Sequence, residues 1–311
     1  MEIMLSQLVA QLTRLASVQV IGPCGNNGRN TETNVIRPAK GGLMRFMSFA
    51  FFLGMRLLRQ NKYDVIFAGS ALLAPLAVVL GTLFRRPVVI YIHGLDLLYD
   101  HPVYQWLMRI FLPRCRFFFA NSRHTANLAN QLGVPDEKIE IINPGLDFSE
   151  FAALPAADEI DDQLDLHNHL VLLSAGRLAQ RKGIPEFVEH VLPALVASHP
   201  DLLFLVAGEN PTESLTHKED IKGRIAAVAK AAHVEEHVRL LGFVSRAQLL
   251  RLFAACDIFI LPAIYMPGDV EGFGIVLIEA GAAGKPVVST RLGGISDAVA
   301  DNQTGRLVEA G

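Results

Sequence analysis

The chain has 311 residues, of which 51% are hydrophobic and 19% charged; this composition excludes an intrinsically disordered protein and provides for more than one buried core. The net charge of -3 argues against a general nucleic-acid binder, which needs a basic surface. The charge is uneven, with 15 Lys and Arg against 10 Asp and Glu in residues 1–150, and 13 against 21 in residues 151–311. We therefore expect two domains that meet different partners.

The first half alternates between short buried strands and helices. A helix is predicted within Met1–Leu15. Strands are predicted at Val18–Gly22, Val65–Ala68, Val88–His93, Phe117–Asn121 and Glu140–Ile142, and helices at Phe46–Arg59, Leu72–Phe84, Tyr104–Leu112 and Ser122–Leu132.

A stretch rich in Ala, Asp and Pro, 152–165, is predicted to be a linker, and the alternation then resumes. Strands are predicted at Leu170–Ala175, Leu202–Ala207, Val238–Leu241, Ile258–Leu261 and Pro286–Ser289, and helices at Ile184–Ser198, Asp220–Ala232, Ser245–Ala255 and Ile275–Ala283. Two such arrays predict an α/β protein with two doubly wound, Rossmann-like domains, 1–150 and 151–311, that face each other across a cleft. Ligands of such sheets bind at the carboxyl ends of the strands.

The chain has three widely spaced cysteines and no CxxC pair. Neither a disulfide framework nor a zinc site is therefore predicted, and a cytoplasmic location is expected. The first 15 residues lack the basic start and apolar core of a signal peptide. The apolar stretch 43–58 is interrupted by Arg45 and Arg56 and is short for a membrane span.

The segment EGFGIVLIE (271–279) has two carboxylates eight residues apart, with glycines directly after the first. Gly272 and Gly274 at the head of a helix allow backbone N–H groups to approach a phosphate. Glu271 and Glu279 are expected to face the same cleft. The pattern indicates a pocket for a nucleotide joined to a group rich in hydroxyls.

A basic loop follows the first strand of the second array. Gly176 permits a tight exit from the strand, and Arg177 and Lys182 are spaced to reach one pyrophosphate. The alternative is a solvated basic turn. The position between a strand and a helix favours the phosphate site.

Polar residues also end strands in the first array. His93, with Asp96 three residues later, is predicted to point into the cleft and to hydrogen-bond a sugar hydroxyl or orient a leaving group; the alternative is a core histidine. Asn121 and Ser122 end the next strand, where Ser122 fits a helix N-cap equally well. Asn143 to Gly145 is predicted to be a turn, and turn chemistry alone accounts for these residues; a place at the cleft is the alternative that their position after a short strand leaves open.

Two further segments either contact a ligand or simply pack in the core, and the sequence does not decide between these roles. Phe243 and Val244 after a strand are candidates to cover a nucleobase. Gly293 and Gly294 precede a short helical segment containing Asp297 and would admit a phosphate or ribose.

These motifs occur in the order of a known family: HGLD (93–96), NSRHT (121–125), NPGLD (143–147), AGRLAQRKG (175–183), GFV (242–244), EGFGIVLIEAGAAGKPVV (271–288) and GG (293–294). The set resembles the retaining glycosyltransferases of family 4, which have the GT-B fold. The resemblance runs from about residue 18 to the last residues of the chain.

The resemblance implies transfer of a hexose from a UDP-, GDP- or ADP-sugar to a carbohydrate or lipid-linked acceptor, with retention and without a metal ion or other cofactor. Arg177 and Lys182 would neutralise the departing diphosphate, and Gly274 and Ile275 would hold it by their N–H groups. It further implies ribose contact by Glu279, sugar contacts by Glu271 and His93, a base pocket at Phe243 and Val244, and donor contacts at Gly176, Gly272 and Phe273. The candidate acceptor or cleft residues are Asp96, Asn121, Ser122, Asn143 and Gly145.

The sequence also departs from the family. Members begin with a strand and a glycine-rich loop before the helix that residues 1–15 resemble, and they continue past 302–311 with further helices. Asp297 stands where members have Glu. We therefore expect a chain shortened at both ends, with a less stable first domain and weak or no turnover.

Two alternatives to the enzyme follow. The first is a nucleotide-sugar-binding protein or fragment with little turnover. The second, a nicotinamide oxidoreductase, is disfavoured because no GxGxxG follows the first strand.

The first half carries basic amphipathic segments, one around Arg45, Arg56 and Arg59 and one around Arg109 to Arg116. These would rest on an anionic bilayer at the inner face of the membrane, where a lipid-linked acceptor lies. The alternative is a core helix with snorkelling arginines.

Overall fold

The computed structural model describes residues 2–25, 35–60, 62–152, 154, 164–210 and 220–310. The chain divides into two compact units, unit 1 (Met1–Gly145) and unit 2 (Leu146–Gly311). The predicted linker 152–165 lies largely outside the described residues.

Unit 1 alternates strands and helices as the sequence predicts. Its described helices are α1 (Glu2–Leu15), α2 (Leu43–Gln60), α3 (Ala74–Phe84), α4 (Leu95–Leu98), α5 (Pro102–Phe111) and α6 (Arg123–Gln131). Its described strands are β1 (Val20–Ile21), β2 (Val35–Ile36), β3 (Ile66–Ala68), β4 (Val88–Ile92), β5 (Phe117–Ala120) and β6 (Ile139–Ile141).

The main sheet of unit 1 is parallel, with the order β3-β4-β5-β6. The predicted strand Val18–Gly22 is shorter in the structure and pairs with β2 in a separate two-stranded parallel sheet. The prediction missed β2, because two apolar residues are too few to establish a strand pattern.

Helix α3 carries apolar residues almost throughout and covers β4. A Cβ on Gly81 would lie 2.5 Å from Val88 Cγ2, so the helix needs glycine there to approach the strand this closely. Ile90, Ile92 and Phe118 are fully buried in the core beneath it. Continuous burial of strand residues is typical of a parallel sheet covered on its faces.

Unit 2 repeats the same alternation on a larger sheet. Its described helices are α7 (Ile184–His190), α8 (Leu192–Ser198), α9 (Ile221–Ala231), α10 (Arg246–Ala255), α11 (Ile275–Ala282) and α12 (Ile295–Ala298). Its described strands are β7 (Leu170–Ala175), β8 (Leu202–Ala207), β9 (Val238–Gly242), β10 (Ile258–Leu261), β11 (Val287–Thr290) and β12 (Arg306–Val308).

The sheet of unit 2 is parallel and has the order β12-β11-β10-β7-β8-β9. The strand order reverses between β7 and β10, which is the position where doubly wound sheets bind ligands, at the carboxyl ends of their strands. Leu173 and Phe259 pack on one face of the sheet, and Phe204 and Ile260 on the other. The predicted α/β class with Rossmann-like units is confirmed.

Two predictions for unit 2 need correction. The single helix predicted over Ile184–Ser198 is wrong, because the structure has two helices that meet at Val191. Pro193 explains the break, since it lacks the N–H that would bond to the preceding turn and is favoured in the first turn of a new helix. The sequence pattern also missed β12, a short edge strand whose residues are exposed on both sides of Leu307. The predicted helical segment around Asp297 is confirmed as α12.

Within the described ranges, none of the helices combines the length and apolar character that crossing a bilayer requires.

Candidate functional site

The loop after β7 surrounds a buried lysine. Lys182 is buried, and its Nζ donates to the carbonyl oxygen of Ala175 at 3.1 Å. Gly176 has φ +115°, and a Cβ there would lie 2.4 Å from Lys182 Nζ. The glycine is therefore needed for the backbone conformation and for the lysine to reach the strand end. Arg177 is exposed and pairs with no described side chain.

The surroundings of Lys182 lower its pKa. Burial is the main cause that lowers the pKa of Lys182 to about 8, and the cations Arg181 and Arg177 lower it further. Glu271 and Glu279 act in the opposite direction. A bound anion would relieve the cost of this buried charge, so the lysine marks a place where a negatively charged ligand is favoured.

Glu271 is held by a cation that the sequence analysis did not single out. Arg181 Nε lies 3.4 Å from Glu271 Oε2, and its Nη1 lies 3.3 Å from Asp269 Oδ1. All three side chains are largely shielded from solvent. The charge of Arg181 is therefore directed toward carboxylates, which leaves Arg177 and Lys182 as the cations available to a ligand.

The backbone at the head of α11 is arranged by glycines. Gly274 precedes the helix with φ +80° and no side-chain cap, so the first N–H groups of α11 have no capping acceptor from it. A Cβ on Gly294 would lie 1.9 Å from Gly272 O, and the Gly294 N–H donates to Glu271 O at 2.9 Å. The Gly293–Gly294 pair thus packs directly against the 271–273 backbone.

Glu279 lies on α11 and forms a tight ion pair. Its Oε1 is 2.6 Å from Nη1 of Arg246, which also lies 2.8 Å from Glu150 through Nη2. Burial is the main cause that raises the pKa of Glu279, and Arg246 opposes that shift. Glu271 and Glu279 thus have separate basic partners, an arrangement that does not suit an acid–base couple.

The two residues proposed to line a base pocket differ in exposure. Phe243 is 80% exposed, whereas Val244 packs against a core cluster of unit 2. The Phe243 N–H donates to Glu209 Oε1 at 3.3 Å, and Lys222 pairs with the same oxygen. An exposed ring beside a strand end is free to stack on a flat group.

In unit 1, His93 directly follows β4 and is almost fully buried. Its Nε2 lies 2.9 Å from Gly69 O, and burial lowers its pKa although Asp96 opposes the shift. Asp96 accepts from the His93 N–H, from Ser70 Oγ and from the Ala71 N–H, at 2.8–3.0 Å. This carboxylate joins the ends of β3 and β4 and fixes the histidine backbone.

The remaining unit 1 candidates form a hydrogen-bonded chain. Asn121 Nδ2 donates to His93 O at 3.3 Å, and Asn143 Nδ2 donates to Asn121 O at 3.0 Å. Ser122 is fully buried and accepts from the Thr125 N–H as the N-cap of α6, which supports the capping alternative. Gly145 has open space around it. The structure therefore brings His93, Asp96, Asn121 and Asn143 together.

Arg181, Asp269, Arg246 and Glu150 were not among the predicted site residues. Arg181 lies 90 positions from Glu271 and Arg246 lies 33 positions from Glu279, so the order of residues along the chain did not indicate these ion pairs. Among the residues that the structure describes, no three His, Cys, Asp or Glu side chains are grouped to hold a metal ion. That the protein needs no metal remains a prediction.

Fold and site together define an α/β protein with a buried lysine and a basic loop at the switch point of a Rossmann-like sheet, and two family models match the chain. The model described as Glycosyltransferase Family 4 matches residues 1–150, and the model described as Glycosyl transferases group 1 matches residues 157–311. The chain belongs to the group 1 glycosyl transferases.

Curated relatives are similar over much of the chain. A GDP-mannose-dependent alpha-(1-6)-phosphatidylinositol monomannoside mannosyltransferase of Mycolicibacterium smegmatis is 30% identical over 263 residues, which cover 82% of this chain and 65% of the relative. Glycogen synthase of Mycobacterium tuberculosis is 26% identical, over 79% of this chain and 56% of the synthase. The chain thus spans between about half and two thirds of the length of these relatives.

Solved structures share the fold. A glycosyltransferase from Rickettsia africae superposes with a TM-score of 0.79 at 19% identity, covering 98% of this chain and 79% of its own. HepE from Anabaena, solved in complex with UDP, gives a TM-score of 0.70 at 24% identity, with 90% and 72% covered. These similarities confirm the GT-B fold class.

Proposed function

We propose that this chain is a retaining glycosyltransferase that moves a hexose from a nucleotide sugar to a hydroxyl acceptor without a metal ion. The observation that carries the proposal is Lys182, a buried cation at the carboxyl end of β7, where the strand order of unit 2 reverses. A nucleoside diphosphate would supply negative charge to pair with this buried lysine.

The main catalytic task in this proposal is to stabilise the diphosphate as it leaves. Negative charge grows on the β-phosphate while the sugar passes through an oxocarbenium-like state. Arg177 and Lys182, with the N–H groups of Gly274 and Ile275 at the head of α11, would bind that charge. Retention follows if the acceptor hydroxyl attacks from the face that the phosphate leaves, and the phosphate can then take the hydroxyl proton.

The carboxylates fit binding roles in this scheme. Glu279 would accept hydrogen bonds from the ribose hydroxyls through the oxygen that Arg246 Nη1 does not contact. Glu271, fixed by Arg181, would bind the transferred hexose. A rigid carboxylate binds a hydroxyl without a further entropy cost, because its rotamer is already fixed.

The donor base would stack on Phe243, whose ring is exposed. The mycobacterial mannosyltransferase named above is GDP-mannose-dependent, and HepE was solved with UDP, so similarity leaves the base open between guanine and uracil. We propose a donor panel of UDP-, GDP- and ADP-sugars to decide it.

The test is calorimetric titration with that panel, followed by assay of sugar release or transfer. We expect one donor to bind, and Lys182→Ala to weaken its binding at least tenfold. Lys230→Ala, which removes an exposed lysine from α9, is the matched control and should stay within twofold. Binding without sugar release would favour the alternative, a nucleotide-sugar-binding protein with little turnover. No binding by any donor would overturn both.

The acceptor is proposed to be a carbohydrate or a lipid-linked glycan reached from the membrane surface. Helix α2 exposes Arg45, Phe52, Arg56 and Arg59, and their spacing places them on one side of the helix. An aromatic ring among arginines is typical of a helix that lies in an anionic membrane interface. Such contact would hold a cytoplasmic protein at the inner face of the membrane.

Flotation with vesicles that contain anionic lipid tests this contact. We expect Phe52→Ser to reduce the bound fraction severalfold, since one buried aromatic ring contributes much of the apolar term. Leu83→Ser removes a similarly exposed apolar side chain from α3 and should leave binding unchanged. Equal loss in both variants, or no flotation of the unmodified protein at low salt, would refute the membrane contact.

A further inference from the structure

A basic pocket lies in unit 1 at the amino ends of the strands, the sheet edge opposite to that of His93. Its volume is about 480 Å³, within the usual size of small-molecule sites. We define the basic pocket by its cations, Arg85, Arg86, Arg114, Arg116 and Lys138; its lining includes no carboxylate.

The cations come from three loops that the sheet brings together. Arg86 lies two residues before β4, Arg116 one residue before β5 and Lys138 one residue before β6. These three strands are adjacent and parallel, so their amino ends share one edge, and the Arg116 N–H donates to Val88 O at 2.8 Å. The convergence therefore comes from the topology and from no single segment.

Part of this charge satisfies the ends of helices. Lys138 Nζ donates to Pro113 O at 2.8 Å and Cys115 O at 3.2 Å, and Arg114 donates to Ile110 O. Cations commonly bind carbonyls at a helix C-terminus in this way. That role accounts for these two side chains and for no others in the basic pocket.

Three arginines have no such role. The side chains of Arg85, Arg86 and Arg116 form neither an ion pair nor a hydrogen bond with any described residue. Their guanidinium groups are planar forks that match the oxygens of phosphate. Like charges held this close repel one another, and an anion with two negative charges removes that repulsion.

We propose that the basic pocket binds a phosphate monoester group, separate from the donor site of unit 2. A carboxylate ligand fits less well, because one negative charge cannot balance three unpaired guanidinium groups. The phosphate can belong to a soluble phosphate ester or to a lipid headgroup, and the experiment distinguishes the two sources.

The experiment compares two double variants with the unmodified chain and follows binding at the basic pocket itself, so that phosphate bound in unit 2 is recognised by its different position. Arg85→Ala with Arg116→Ala removes two exposed arginines of the basic pocket. Arg14→Ala with Lys40→Ala removes two exposed cations of unit 1 that lie outside the basic pocket and outside the segments considered for membrane contact, and is the matched control. The probes are inorganic phosphate, followed by hydrogen exchange, and phosphatidylcholine vesicles with and without phosphatidic acid, followed by flotation.

Inorganic phosphate is expected to slow exchange at residues 81–88 and 114–116 in the unmodified chain and the control, with affinity at least tenfold weaker in the basic-pocket variant. Phosphate binding would show that the basic pocket binds a soluble phosphate ester without a membrane. Vesicle binding that needs phosphatidic acid and the pocket arginines, without phosphate binding, identifies a lipid headgroup. The proposal is overturned if neither probe binds, or if both double variants bind alike. The exchange pattern of the unmodified chain tests it even if the basic-pocket variant does not fold.

Discussion

Arg246 Nη1 lies 2.6 Å from Glu279 Oε1, and the same guanidinium reaches Glu150 through its other nitrogens. The arginine also lies over the ring of Phe151, 5.4 Å from its centroid. The carboxylate proposed to bind ribose is therefore fixed by a residue on another helix. Its charge depends on that residue, because burial alone raises its pKa.

We expect Arg246→Met to destabilise unit 2 by roughly 1–3 kcal/mol, since it leaves a buried carboxylate without its partner. Nucleoside diphosphate affinity should also fall, because Glu279 loses the ion pair that fixes its carboxylate. Denaturant unfolding and calorimetric titration measure the two effects. Glu150→Gln, which removes the more exposed partner of Arg246, is the control and should cost less than half as much; equal costs would refute the special role of Glu279.

If Lys182 binds the donor diphosphate as proposed, donor binding should depend on pH. With its pKa near 8, Lys182 is charged below that pH and neutral above it. Affinity for a nucleoside diphosphate should therefore be full near pH 7 and fall above pH 8, by at most about tenfold per pH unit. Titration from pH 6.5 to 9.5 measures the fall. Lys182→Met should bind weakly with a flat profile over pH 8–9.5, and the same slope in both proteins would contradict the assignment.

Replacing two glycines of unit 2, Gly294 and Gly281, by alanine is expected to change stability in opposite directions. Gly294→Ala would place a Cβ 1.9 Å from Gly272 O, so the loop before α12 must move, and we expect a loss of about 2 kcal/mol or more. Gly281→Ala lies in α11 with open space around it and should gain roughly 0.5–1 kcal/mol. Thermal unfolding of both variants measures the difference. A tolerated Gly294→Ala would show that the 271–273 backbone is not tightly held.

Loss of the Asp96 carboxylate is expected to destabilise unit 1 alone. Both carboxylate oxygens accept from N–H or O–H donors, and Asp96→Asn, although equal in shape, would turn an NH₂ group toward one of them. We expect a loss of roughly 1–3 kcal/mol and faster hydrogen exchange at the Ala71 or His93 amide. Asp100→Asn, at an exposed position, should change neither. An unchanged exchange rate at both amides would show that Asp96 does not join the two strand ends.

Much of the fold was predictable because its signals are local. The strands Leu170–Ala175, Leu202–Ala207 and Ile258–Leu261 have the predicted bounds, since apolar runs bounded by polar, glycine or proline residues are typical of buried parallel strands. The break at Val191 and the strand Arg306–Val308 were not predicted. The first depends on a proline in an otherwise helical pattern, and the second is a short edge strand stabilised by pairing with β11.

In the candidate site, too, some residues were predictable from local signals and others were not. Gly176, Lys182, Gly274 and Glu279 lie where strands end or a helix begins, so their position along the chain located them. The partners of the carboxylates were not predictable, because Arg246 is 33 residues from Glu279 and Arg181 is 88 from Asp269.

The sequence by itself determined the alternation of strands and helices, the family, and which candidate residues stand at the strand ends of unit 2. The tertiary structure alone decided which charges neutralise one another and which remain available. Arg181 and Arg246 are committed to carboxylates, Lys182 is buried with a lowered pKa, and the arginines of the basic pocket converge. The physical reason is that charge interactions depend on distance and burial, which the order of strands in a sheet sets and the order of residues in a chain does not.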